Sequence, residues 1–213
     1  MNVVIFGATG IVGRAIVKEA LQKGHRVTVL TRRAEKIADG NANLRVVEGN
    51  VTDRDTIDRV LKGQDAVIQT LGIGGKGDGK PTTFVSRANK LIMEEMERIG
   101  IHRFIAISVI GAGDSISFLP WIYRKFILPV FQKWFIPIID DKNRMEEQIS
   151  QSHLDWTVIR GTTVQDKPAK GKVTASLDGK GLKFTITAAD MAIFFVEQLD
   201  SKQYLKSMPT ISN

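Results

Sequence analysis

The chain contains no cysteine. Disulfide bridges, thiolate metal sites and cysteine nucleophiles are therefore excluded, and the absence is compatible with a reducing compartment. Histidine is scarce, with three residues, and the carboxylates show no ligand spacing, so no metal site is expected. His25 and His102 each precede an apolar run and His153 stands in a polar turn, which suits none of them to be a base or ligand. No unbroken apolar run reaches the roughly 18–20 residues that cross a bilayer. The chain passes into a strand pattern at once, with no signal-peptide pattern before it, and the expectation is a cytoplasmic protein. Acid is in deficit, with 23 Asp+Glu against 30 Lys+Arg and a net charge of +7. The basic residues are dispersed and form no recognisable nucleic-acid module, so an anionic small ligand and an acidic substrate account for part of the positive field just as well, and nucleic acid is a minor reading.

What is present begins at residue 3. Residues 3–6 (VVIF) form an uncharged apolar run, as a strand buried on both faces would. Residues 7–13 (GATGIVG) follow directly, and Ile16, Val17, Ala20 and Leu21 then recur at helical spacing up to Gly24, a candidate C′ residue. Residues 27–30 (VTVL) make a second strand, with Arg32 and Arg33 just beyond it. Each glycine has its own task in such a unit. Gly7 permits a tight turn, Gly10 lets the backbone approach a pyrophosphate, and Gly13 lets the helix pack closely on the sheet. The free N–H groups and positive end of the helix then face the phosphates. Placed between a strand and a helix of a βαβ unit, this motif predicts dinucleotide binding.

The end of the second strand selects the dinucleotide. A carboxylate there would accept from the ribose hydroxyls of NAD, whereas this chain reads TRRAEK at 31–36. Arg32 and Arg33 suit a 2′-phosphate through forked, charge-assisted hydrogen bonds. Glu35 is expected to open the next short helix, and NADPH is favoured over NADH. A merely solvated basic turn is the alternative.

The alternation continues along the chain, whose 213 residues suit one domain over 1–213 with 114–139 and 161–187 as substrate-side insertions. Strands are expected at 44–48, 65–70, 103–108 and 156–160. Helices are expected after Asp53, from Thr82 or Thr83, over 141–150 and over 188–199, and 72–79 (GIGGKGDG) reads as a mobile loop. Residues 173–175 and 184–186 bracket an Asp178-Gly179 turn and are expected to pair as a hairpin. Repeated βα order predicts an α/β fold: a single Rossmann-like, doubly wound parallel sheet with helices on both faces and a small C-terminal substrate-side region. Ligands in such folds lie beyond the C-terminal strand ends, where the loops 7–13, 31–36, 49–53 and 70–83 converge with Ser108 at the rim.

These residues resemble the atypical short-chain dehydrogenase/reductase superfamily, in the branch of biliverdin reductase B (flavin reductase) and NmrA-like NAD(P)-binding proteins. The resemblance covers almost the whole chain, through GATGIVG at 7–13, VTVLTRR at 27–33, VEGNVTDRD at 47–55 and QDAVIQTLG at 64–72. It continues in FIAIS at 104–108, DDKNRMEEQISQSHLDWTVIRG at 140–161 and SLDGKG at 176–181. It implies that Thr9, Gly10, Ile11 and Val12 hold the pyrophosphate and that Asn50 and Val51 border the adenine, with Asn50 where many relatives have Asp. It also implies that Thr70, Leu71 and Gly72 lie along the nicotinamide ribose.

Catalytic residues are carried over less completely. Members of the superfamily use a Tyr-x-x-x-Lys pair beside a Ser; here Lys142 and Ser108 match, but Ile138 stands at the tyrosine position. Tyr123 is too distant in sequence to complete the pattern, and Thr163 matches a second polar position of the flavin-reductase pocket. Ser108 either faces a ligand or caps a strand end. Lys142, read as opening a helix, either meets a ligand or pairs with Glu146 at i,i+4. The aromatic segment 116–138 admits three readings: a cover over the core, a lid over a planar substrate, or a membrane-surface contact. The expected function is an NADPH-dependent oxidoreductase passing hydride to a small planar acceptor such as a flavin or quinone, with no obligatory side-chain acid titrating between pH 6 and 8. The alternative is an NmrA-like NADP-binding redox sensor without turnover.

Overall fold

In the computed structural model, which describes residues 1–37, 40–73 and 78–213, the strand runs become the centre of an eight-stranded sheet. Seven of its strands are β1 (Asn2–Phe6), β2 (Arg26–Thr31), β3 (Leu44–Glu48), β4 (Ala66–Gln69), β5 (Arg103–Val109), β6 (Asp155–Gly161) and β10 (Thr210–Ser212). β8 (Thr174–Ser176) completes it, in the order β3-β2-β1-β4-β5-β6-β10-β8, and only the β8–β10 pairing is antiparallel. The expected α/β Rossmann-like sheet is thus the observed one. Strand order reverses between β1 and β4, which opens a crevice at their C-terminal ends.

Alternation along each strand divides the core. Val4 and Phe6 join Val67, Phe104 and Val158 on one face, under α2 (Arg54–Leu61), α3 (Phe84–Ile99) and α4 (Ile136–Ser150). Val3 and Ile5 join Val29, Ile68 and Ile105 on the other, under α1 (Ile11–Gln22) and α5 (Ala188–Glu197). Each fully buried side chain of this size contributes about 1.5–3 kcal/mol. Gly24 ends α1 at φ +81°, as its C′ position requires. Asp53 takes the N-cap position of α2, but its carboxylate accepts from the Thr56 hydroxyl rather than from the backbone.

Three expectations fail. The hairpin does not form: β8 pairs with β10, while β9 (Thr185–Thr187) runs parallel to β7 (Thr163–Gln165) in a separate two-stranded sheet. The Asp178 turn is closed locally instead, its carboxylate accepting from the Ser176 hydroxyl and the Lys180 N–H. Helix α4 starts at Ile136, not at 141, because Pro137 occupies the first turn, where its missing N–H costs nothing. Lys142 therefore lies inside the helix rather than at its start. The strand at 210–212 had no counterpart in the sequence reading. Residues 74–77 of the expected mobile loop lie outside the described residues.

Between β5 and α4 the chain takes 3-10 turns at Gly113–Phe118 and Lys133–Phe135 and a π-helical stretch at Tyr123–Phe131. No helix among the described residues is long and apolar enough to cross a membrane.

Candidate active site

A cleft of about 1040 Å³ runs along the C-terminal ends of the central strands. At one end stand Gly7, Thr9, Gly10, Ile11 and Val12, with Arg32, Arg33, Asn50 and Val51 beside them. Thr70, Leu71 and Gly72 line its middle, and Ser108, Lys142, Thr163, Ile138 and Tyr123 its far end. Every candidate residue taken from the sequence lines this one cleft, except that roles within it are a separate matter. Among the described residues no group of three carboxylate or histidine side chains could hold a metal ion.

The three glycines of the first turn differ physically. Gly7 has φ +86°, and a Cβ there would stand 2.6 Å from the Thr70 carbonyl. A Cβ on Gly13 would stand 2.2 Å from the Gly7 oxygen. Both glycines are demanded by the protein's own backbone. Gly10 is not: its φ is −72° and an added Cβ would meet only the Gly7 oxygen, at 3.4 Å. The space over Gly10 is open to the cleft, where the first N–H groups of α1 have no intrahelical partner. These features fit a pyrophosphate cradle.

Neighbouring turns are tied to this cradle. Thr70 donates both its N–H (2.8 Å) and its hydroxyl (2.9 Å) to the Phe6 carbonyl. The buried Gln69 accepts from the Leu71 N–H at 2.9 Å and donates to Asn89 at 3.2 Å, which fixes the start of the 70–73 turn. Arg14 donates to the Thr9 carbonyl at 2.8 Å and lines the cleft; the sequence reading missed it, although it stands directly after Gly13. Arg32 and Arg33 are exposed, and neither guanidinium has a hydrogen-bond or ion-pair partner among the described residues. Glu35 sits in the short 3-10 turn Ala34–Lys36, as expected. Asn50 closes an Asx turn on the Thr52 N–H at 3.2 Å.

At the far end, Lys142 is buried and donates to the carbonyls of Leu71 (3.1 Å) and Ile107 (2.8 Å), clamping the turn after β4 to strand β5. Burial pushes its ammonium down to about 8 against the opposing pull of Asp141 and Glu146. Its titration therefore falls at the upper edge of the interval in which the sequence placed none. Of the two readings of Lys142, the i,i+4 pair with Glu146 does not form. Glu146 instead receives a forked pair of hydrogen bonds from Arg160, at 3.0 and 2.7 Å, and Arg160 also holds Asp114 at 2.6 Å. Asp141 accepts from the Val85 (2.9 Å) and Ser86 (3.2 Å) N–H groups, capping α3 from α4.

Ser108 is buried on β5, and its hydroxyl has no hydrogen-bond partner although it lines the cleft. An orphaned hydroxyl buried in the wall of a cleft is a group that a ligand there would satisfy once the side chain rotates toward it. Ile138, one turn before Lys142, also faces the cleft. Tyr123 reaches the same cleft from the π-helical stretch and donates to Gln132, while burial pushes its phenol up. Sequence separation alone gave no sign of that approach.

This cleft and sheet are those of a Rossmann-like dinucleotide-binding protein. The chain belongs to the NAD(P)H-binding family, whose model matches residues 7–202. It is 25% identical to the protein YwnB of Bacillus subtilis over 99% of this chain and 98% of that one. It is 28% identical to the photosystem II assembly factor Ycf39 of Synechocystis over 75% of this chain, but spans only 44% of that relative's length. Among solved structures, the anaerobilin reductase ChuY of Escherichia coli O157:H7 superposes with a TM-score of 0.82 at 21% identity, over 100% and 97% of the two chains. A short-chain dehydrogenase/reductase of Veillonella parvula in complex with NADP gives 0.80 at 16% identity, over 100% and 94%.

Proposed function

We propose that the chain is an NADPH-dependent reductase of a small planar acceptor, such as a flavin or quinone. The observation that carries the reading is the continuity of one cleft from the Gly10 turn and the exposed Arg32 and Arg33 to Ser108 and an apolar, aromatic far wall. Bound NADPH would supply the hydride. The protein's part is to bind and orient. Arg32 and Arg33 recognise the 2′-phosphate, the α1 N-terminus takes the pyrophosphate, and Asn50 and Val51 border the adenine. Lys142 keeps the Thr70–Gly72 turn and β5 in register along the nicotinamide ribose, and Ser108 offers a hydroxyl to the ring or acceptor. Tyr123, Trp134 and Phe135 flank the acceptor and keep water out.

With Ile138 at the position of the superfamily's tyrosine acid, the reading favours acceptors whose proton comes from solvent over ketones or alcohols. A protein of the same fold is described as an anaerobilin reductase, which accords with a reductase reading. NADPH oxidation, followed by absorbance against a panel of flavins and quinones, tests the proposal. Turnover with at least one acceptor is expected. If NADPH binds and no acceptor supports turnover, the alternative takes its place: an NADP-binding sensor of the NmrA-like type. One observation favours that alternative, namely that the Lys142 ammonium is already committed to two backbone carbonyls.

A further inference from the structure

The segment between Asp114 and Asp140 has no acidic residue, and its two sides differ. Leu119, Tyr123, Leu128 and Gln132 turn inward and line the cleft. Trp121, Ile122, Phe126 and Val130 turn outward and are between 52% and 64% exposed. Ile122, Phe126 and Val130 recur every four residues from just before the π-helical stretch into it, and the Trp121 and Phe126 rings meet edge to face with centroids 5.8 Å apart. Arg124, Lys125 and Lys133 are exposed among them, and no ion pair engages any of the three among the described residues. Four large apolar side chains held clear of the core by a structured backbone are not packing residues, and a soluble surface rarely gathers so many.

The adjoining 177–184 turn extends the character of this face. Gly179 packs so closely on Phe118 that an added Cβ would stand 2.8 Å from its ring. The turn adds the exposed Leu177 and Phe184, with Lys180 and Lys183 beside them. Asp178 is its one acid, and that carboxylate is paired with Lys180 at 2.7 Å.

We propose that the outer face of residues 120–133 docks on an anionic lipid surface, with Trp121, Ile122, Phe126 and Val130 entering the headgroup boundary and Arg124, Lys125 and Lys133 meeting the lipid charge. Charge complementarity selects this occupant. An apolar stripe interleaved with Arg124, Lys125 and Lys133, in a segment without an acid, suits a surface that is apolar below and negative above. A second copy of the same face would set like charges against one another. The inference is independent of the reductase reading, since it concerns residues that do not line the cleft.

The test is vesicle flotation of the whole protein with phosphatidylcholine alone and with phosphatidylcholine containing phosphatidylglycerol. Binding to the anionic vesicles is expected, weakened by salt, with a blue shift of tryptophan fluorescence from Trp121. The triple variant Trp121→Ser, Phe126→Ser, Val130→Ser should lose flotation and keep its NADPH affinity. The double variant Arg124→Gln, Lys125→Gln should weaken anionic-vesicle binding by about fivefold for each charge removed. Absence of flotation by the unsubstituted protein, or flotation undiminished in the triple variant, overturns the proposal. So does a concentration-dependent dimer that the triple variant abolishes while vesicle binding persists, because the face then serves contact between copies.

Discussion

Arg160 holds Glu146 through both carboxylate oxygens, at 3.0 and 2.7 Å, with the two side chains only 3% and 5% exposed. The guanidinium on β6 thereby takes the carboxylate that Lys142 on the same helix would otherwise use, and it anchors the 111–118 turn through Asp114. Arg160→Met should strand Glu146 as an unpaired buried charge and cost about 3–5 kcal/mol. Combining it with Glu146→Leu should restore most of that loss. Denaturant unfolding of the single and double variants measures both effects.

Gly10→Val should leave the fold intact and abolish cofactor binding, because the added side chain meets open space in the protein but fills the cradle. Gly13→Val should instead unfold the chain, since its Cβ would collide with backbone. Thermal melting with and without NADPH separates the two. The first variant keeps its melting transition and loses the cofactor-induced rise.

Arg32→Ala combined with Arg33→Ala should weaken NADPH by about 1.5–3 kcal/mol for each lost charge-assisted contact and leave NADH unchanged. Titration calorimetry on both cofactors decides the matter. Equal affinities in the unsubstituted protein would remove the basis for NADPH preference.

Ser108→Ala should leave stability unchanged or raise it by up to about 1–3 kcal/mol, because it removes a buried hydroxyl without a partner among the described residues. Turnover with a productive acceptor should fall about 10–100-fold if the hydroxyl orients a ligand. Measuring unfolding and turnover on the same preparation distinguishes a ligand-facing serine from a strand-end residue.

Lys142 makes stability depend on pH in a definite direction. Its folded pKa of about 8 lies below the ordinary 10.5, so between those values the unfolded chain binds more protons and stability rises with pH. Relative to Lys142→Met, the unsubstituted protein should gain up to about 3 kcal/mol from pH 7 to pH 10.5, with a flat difference below about pH 7. Denaturant unfolding of the two proteins across that interval gives the difference directly.

The sequence made the nucleotide end of the molecule legible because its demands are local. A turn that needs φ > 0, as Gly7 does, and a helix that starts four residues later leave their marks within one short motif. The other end depends on contacts between distant segments. Pro137 reads as a helix breaker unless it is known to stand in a first turn, so the interior position of Lys142 could not be read. The Arg160–Glu146 pair forms across a strand and a helix, with nothing in the i,i+4 pattern to favour it over Lys142. The three-residue strands β7, β8 and β9 carry too little pattern to choose partners, and the Asp178-Gly179 turn suggested a hairpin that long-range pairing with β10 overrides. Tyr123 enters the cleft through a π-helical backbone for which its segment has no simple sequence signature.

The close approach of Gly7 to Thr70 decides where the entropy of binding is spent. Both turns are joined through the Phe6 carbonyl, so this part of the cradle is preorganised and has little freedom left to surrender. If NADPH is the ligand, as proposed, ordering on its arrival falls instead on the exposed side chains of Arg32 and Arg33, at about 0.5–1.5 kcal/mol each. A dinucleotide without the 2′-phosphate would leave those two side chains loose. Discrimination between the two cofactors would then take the form of a gain in enthalpy partly offset by a loss in entropy at the same two arginines.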